Sequence, residues 1–170
     1  MLDPNNIEAL VGTALVDTNS ILLIDNRAAR TAAAEAVLTK ALSMAPQHAL
    51  AHMLLGVVQM FTNRADQGIA ECQQTLALDR NLASAHGFIG AAQYLLGRAA
   101  ETEAHINEPL RLSHRDTGAF RWRQFVGFAK LHLGDDPQAV AWLRRSIEAN
   151  RNYPITHFAR SPPRWPCLGH

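Results

Sequence analysis

A recurrence of 34 residues constrains this chain more than any other feature. His86 and Gly90 stand 34 positions after His52 and Gly56, and Gln93 repeats Gln59 at the same interval. A fixed period in the range of roughly 20–50 residues marks a solenoid, in which each unit buries its apolar side on its neighbour. Residues 49–82 show what the unit is. Leu54, Leu55, Val58 and Phe61 recur at helical spacing, Thr62-Asn63-Arg64 interrupts them, and Ile69, Cys72, Leu76 and Leu78 make a second apolar run. The expected fold is all-α: an α-α superhelix of about four helical hairpins.

The chain then divides in order. Hairpins are expected at 1–46, 47–82, 83–116 and 117–153, with the start of a fifth at 154–158, so that one repeat domain covers 1–158. In the first, residues 7–16 form a helix, Asp17 to Arg27 is irregular around the cluster Ile21-Leu22-Leu23-Ile24, and 28–44 is an Ala-rich helix with Glu35 and Lys40 on its outer face. The interval from Pro4 to Pro46 is 42 residues, an eight-residue excess over the period. Gly127 follows Gly90 by 37 residues, which lengthens the turn before the fourth hairpin by three. Pro109 should kink or end the helix that contains it, because it removes a backbone donor and crowds the carbonyl of His105. In the last helix Ala139, Val140, Leu143 and Ile147 share a face, and Asp135-Asp136-Pro137 caps its start. Residues 159–170 hold three prolines without helical periodicity and read as a disordered or irregular tail.

Composition narrows the function. The 16 basic and 15 acidic residues leave a net charge of +1, no footprint for nucleic acid or an anionic membrane. Cys72 and Cys167 lie far apart in no metal-like spacing, and Cys72 falls on an apolar helix face as a small core residue. No apolar run approaches the ~20 residues that span a bilayer, and the start has no signal pattern. A cytoplasmic protein is expected.

No HExxH, phosphate-cradling glycine loop or nucleophile elbow occurs. His52 and His86 occupy equivalent places about 10 Å apart, the distance between packed helices, too far to share one ion at about 2 Å. They read as packed, hydrogen-bonded histidines. His105 and Glu108 share a helix face, but two ligands make a weak site. No catalytic, cofactor or metal residue is expected, and the chain is read as a non-enzyme.

These positions resemble the tetratricopeptide repeat. Leu55-Gly56, Ile89-Gly90 and Val126-Gly127 stand where that family has its Leu-Gly pair. Ala34, Leu38, Ala41 and Pro46 match the family's series in a second helix, as do Ala139, Leu143 and Ser146. Departures are His52 and His86 for the early tryptophan, Arg80 and His114 for the terminal proline, and Pro109 for a small residue. Several stretches are also similar to the repeat region behind bacterial adenylate cyclases and winged-helix regulators, beside which the tail looks truncated or frame-shifted.

The resemblance implies a concave groove lined by the first helix of each pair. Its positions map to Leu50, Met53, Val57, Met60 and Phe61, then Ser84, Gly87, Ala91, Tyr94 and Leu95, then Arg121, Gln124, Phe128, Leu131 and His132. Such a lining suits an apolar or amphipathic peptide or helix; the alternative is that neighbouring helices cover it. Met53, Val57, Gly87 and Ala91 stand where a subset of the family clamps a terminal carboxylate, and none can donate to one. Arg121 and Arg123 are solvated cations or a contact for one acidic group. The expected function is a protein-interaction adaptor. The alternative is a regulatory fragment of a bacterial cyclase or winged-helix regulator, acting in signalling. Without polar end caps, a solenoid with Trp142 and Leu143 on its last hairpin is also expected to self-associate.

Overall fold

The computed structural model describes residues 5–20, 27–112 and 118–152. They form eight helices: α1 Ile7–Ser20, α2 Arg27–Met44, α3 Ala49–Phe61, α4 Ala65–Leu78, α5 Ala83–Leu95, α6 Ala99–Leu112, α7 Ala119–His132 and α8 Asp136–Ala149. Successive helices pair as hairpins, each hairpin packs on the next, and α1, α3, α5 and α7 also touch in succession. That is the expected α-α superhelix.

The turns explain why the pattern repeats. Asn63, Gly97 and Gly134 all take the left-handed conformation, with φ of 62°, 76° and 74°. Each follows a first helix by the same offset and reverses the chain in the same way. The next residue's amide returns to a carbonyl five positions back: Arg64 to Gln59, Arg98 to Gln93 and Asp135 to Lys130, at 2.9, 2.8 and 2.9 Å. Asp135 then caps α8 through a bond from the Gln138 amide at 3.3 Å, as its sequence suggests.

Within a hairpin the helices approach as closely as glycine allows. A Cβ on Gly56 would stand 2.8 Å from the Gly68 carbonyl oxygen, and one on Gly68 would stand 2.6 Å from that of Gly56. The apolar core runs from Val11 and Ala14 of α1 through Leu38, Leu54, Val58 and Cys72 to Ile89 and Ala92 of α5. A second cluster gathers Ile106, Trp122 and Val126, with Phe88 packed against both.

A hydroxyl pins second helix to first in two hairpins. Thr75 donates to the Ala49 carbonyl at 3.2 Å, and Ser146 to the Phe120 carbonyl at 2.7 Å. Pro109 holds the corresponding place in the third hairpin, 34 residues after Thr75 and 37 before Ser146. It is fully buried there, and α6 continues past it to Leu112, so the proline does not end the helix.

Other expectations need correction. Asp17 to Ser20 are helical, and Asp17 holds Arg30 at 2.9 Å, which supports the longer α1. Residues 21–24 and the tail from 153, with the start of a fifth hairpin, lie outside the described residues. Glu35 is not simply solvated: Arg64 grips it with both arms, at 2.7 and 2.8 Å. Val140 is 45% exposed, while Leu143 is buried against Gly127 and not left uncovered. Trp142 is half-buried beneath the Arg145 guanidinium, 5.2 Å from its ring centre.

Candidate peptide-binding face

The first helices touch one another, and this decides which of the expected groove positions reach the surface. Met53, Val57, Met60, Gly87, Ala91 and Gln124 are buried. Met60 lies against Gly68 of α4 in its own hairpin and Gly87 under the next first helix, so packed helices cover these places of the expected lining. Trp122 of α7 shows how: it lies over Gly87 and meets Phe88 edge to face, with ring centres 5.1 Å apart. Gln124 is sealed in so tightly that its amide nitrogen has no partner among the described residues.

Leu50, Phe61, Ser84, Tyr94, Arg121 and Phe128 are half-buried, and Leu95, Leu131 and His132 are exposed. They do not form one continuous groove. Phe61 packs on the first core and, with Thr62, borders a depression of ≈ 500 Å³ shared with Ala28, Thr31, Ala32 and Glu35 of α2. Tyr94 instead bridges α5 to α7. Its ring centre lies 6.1 Å from Phe128 and 6.2 Å from Phe125.

Phe125 escaped the sequence reading because the family's groove positions skip it. Helical spacing could have found it: Arg121, Phe125, Phe128 and His132 fall four, three and four residues apart, one stripe along α7. Tyr94 and Leu95 border that stripe from α5. Leu95 and Leu131 remain 44% and 40% exposed, between Arg121 at one end of the stripe and His132 at the other. Arg121 is steadied over the Phe120 ring at 5.5 Å. Burial raises the Tyr94 phenol above its ordinary value, so this ring stays neutral and acts as an apolar surface with a hydroxyl rim.

The polar candidates are structural. His52 is hydrogen-bonded as expected, its Nδ1 2.6 Å from Glu71 and its Nε2 2.9 Å from the Pro46 carbonyl. His48 caps α3 by accepting from the Ala51 amide at 3.2 Å, so its other nitrogen donates to Glu8, also at 3.2 Å. Lys130 of α7 reaches Glu103 of α6 at 2.6 Å. Among the described residues no three His, Cys, Asp or Glu side chains could hold a metal, and no helix is long and apolar enough to cross a membrane.

Comparison with known proteins agrees with this geometry. Residues 27–92 match the tetratricopeptide repeat family. None of the curated proteins compared matches the chain significantly. Among solved structures, the chain is similar to pilF of Pseudomonas aeruginosa, with 23% identity and a TM-score of 0.71, covering 88% of this chain and 64% of that one. The chain thus spans less than two thirds of pilF. TTC0263, a thermophilic tetratricopeptide protein of Thermus thermophilus, shares 17% identity at a TM-score of 0.72, covering 92% of this chain and 80% of that one. YrrB, described as a tetratricopeptide protein with an unusual peptide-binding site, shares 16% identity at 0.63, covering 93% and 76%. At such identities the shared property is the fold. These comparisons give no link to an adenylate cyclase or a winged-helix regulator. Residues 27–92 thus match the tetratricopeptide repeat, and the described helices on either side continue the same superhelical fold.

Proposed function

We propose that this chain is a protein-interaction adaptor that takes an apolar or amphipathic segment of a partner on the face formed by Tyr94, Leu95, Phe125, Phe128 and Leu131. One observation carries the reading. Tyr94 is braced against two phenylalanines of the next hairpin, while Leu95, next to it in sequence, and Leu131, three residues on from Phe128, stay 44% and 40% exposed. A braced aromatic ring with exposed aliphatic side chains on the same two helices is what a peptide anchor packs against, since little side-chain entropy is lost on contact. Arg121 at one end of the stripe favours a partner segment with an acidic residue beside its apolar anchor.

The test avoids the buried positions. Leu95→Glu with Leu131→Glu places two charges on the face at positions that are already 44% and 40% exposed. Partner capture should be lost while circular dichroism is unchanged. Capture that survives the double substitution contradicts the reading. Charges at Met53 or Met60 would be a poor control, because both side chains are buried and their replacement would unfold the protein.

A further inference from the structure

The second and third hairpins place opposite chemistry at one equivalent junction. In the second, the His52 ring lies between the Glu71 carboxylate and the Pro46 carbonyl. The residues 34 positions later are His86, His105 and Arg80. The scaffold beneath is the same: a Cβ on Gly56 would stand 3.2 Å from the Glu71 Cβ, and one on Gly90 would stand 3.3 Å from the His105 Cβ. So the carboxylate that holds the first imidazole is replaced by a second imidazole, and the proline by a guanidinium.

Arg80 and His86 border a cleft of ≈ 320 Å³, lined also by Leu76, Asn81, Glu108, Arg111 and Leu112, with His105 behind it. Glu108 is the one carboxylate in that lining, and Arg111 occupies both its oxygens, at 2.6 and 3.1 Å. Among the described residues, Arg80 makes no hydrogen bond or ion pair, and His86, expected to be hydrogen-bonded, makes no hydrogen bond and faces the Glu108 charge instead. The start of α5 adds to the same sign: its cap residue, Leu82, offers no side-chain acceptor, whereas His48 caps α3.

We propose that this cleft is an oxyanion site that binds a phosphate group, either free or carried on a peptide side chain. Arg80 offers a planar donor fork to phosphate oxygens and Arg111 the one amino group that Glu108 leaves unused, while the Asn81 amide and His86 ring supply shorter-reach donors. The site is separate from the Tyr94 face, and either can fail without the other.

Imidazole proton spectra during titration with inorganic phosphate test it directly. The His86 signal should shift and saturate, with a smaller shift at His105 behind the cleft, while those of His48 and His52 stay in place. A phosphoserine peptide and its unphosphorylated counterpart form the second arm. Tighter saturation by the phosphopeptide assigns the site to a phosphorylated partner, and equal affinity assigns it to the free anion. Arg80→Gln, at an exposed loop position, should weaken binding by about tenfold, the scale of one charge-assisted bond. His105→Glu installs the second hairpin's carboxylate beside His86 and should remove binding altogether. Circular dichroism checks that each variant folds. Absent saturation, equal shifts at all four histidines, or unchanged affinity in Arg80→Gln overturns the proposal.

Discussion

The Trp122 ring fills the space where any side chain on Gly87 would begin: a Cβ there would stand 2.7–2.8 Å from three of its ring carbons. The ring is buried and held edge-on by Phe88, so it has little room to withdraw. Gly87→Ala should therefore destabilise the α5–α7 junction. Overpacking costs about 1–3 kcal/mol, and the better helix propensity of alanine offsets roughly 1 kcal/mol of it. A lower thermal midpoint is expected, with near-ultraviolet dichroism of the tryptophans altered before unfolding.

Pro109 breaks the rule its neighbours follow. Threonine or serine at the equivalent place bridges the hairpin, as Thr75 and Ser146 do. Pro109→Thr should restore that bridge, worth about 1 kcal/mol, and remove a proline that costs up to about 3 kcal/mol within a helix. Greater freedom of the unfolded chain returns roughly 0.4–1 kcal/mol of this. The net expectation is a stabilisation of about 1–3 kcal/mol, read from urea unfolding.

The Arg64–Glu35 clamp should make stability depend on pH. Hydrogen bonds from Arg64, and secondarily its charge, hold the Glu35 carboxyl below its ordinary 4.5. A carboxyl depressed in the folded state contributes stability that is complete above pH 4.5 and is lost as pH falls through the lower folded value. Both side chains are about a third exposed, so solvent screening limits the clamp to roughly 0.2–1 kcal/mol. Glu35→Gln should be less stable than the parent at pH 7, with the gap narrowing at pH 3. An unchanged gap would count against the clamp.

Cys72 should be inert while the protein is folded. It is wholly buried, and desolvation, with the nearby Glu71 charge, pushes its thiol up to about 12. In a Cys167→Ser background, alkylation at pH 8 should proceed only at the rate at which the second hairpin opens. Fast labelling without denaturant would contradict this packing.

The hairpins were readable because periodicity and turn chemistry agree. The interval between Gly56 and Gly90 marks the close approach of paired helices, and Thr62-Asn63-Arg64 and Gly97-Arg98 mark the reversals. The groove was less readable. Sequence places Met53, Met60 and Gly87 on the inner side of their helices, but how far they are covered depends on contact between neighbouring hairpins. A large residue such as Trp122 settles that contact from 35 positions away. Pro109 misled for a related reason. Proline lowers helix propensity, yet a buried site already framed by α5 and α6 can hold it in place. The sign change from Glu71 to His105 was present in the sequence and became meaningful only once Gly56 and Gly90 showed the same surroundings.

The most direct test of the account is calorimetric titration of the purified protein with an amphipathic peptide selected against it from a display library. The parent should bind it with a negative heat-capacity change, the mark of buried apolar surface, and Leu95→Glu with Leu131→Glu should show no measurable heat. Equal affinity in the parent and the double variant would contradict the account.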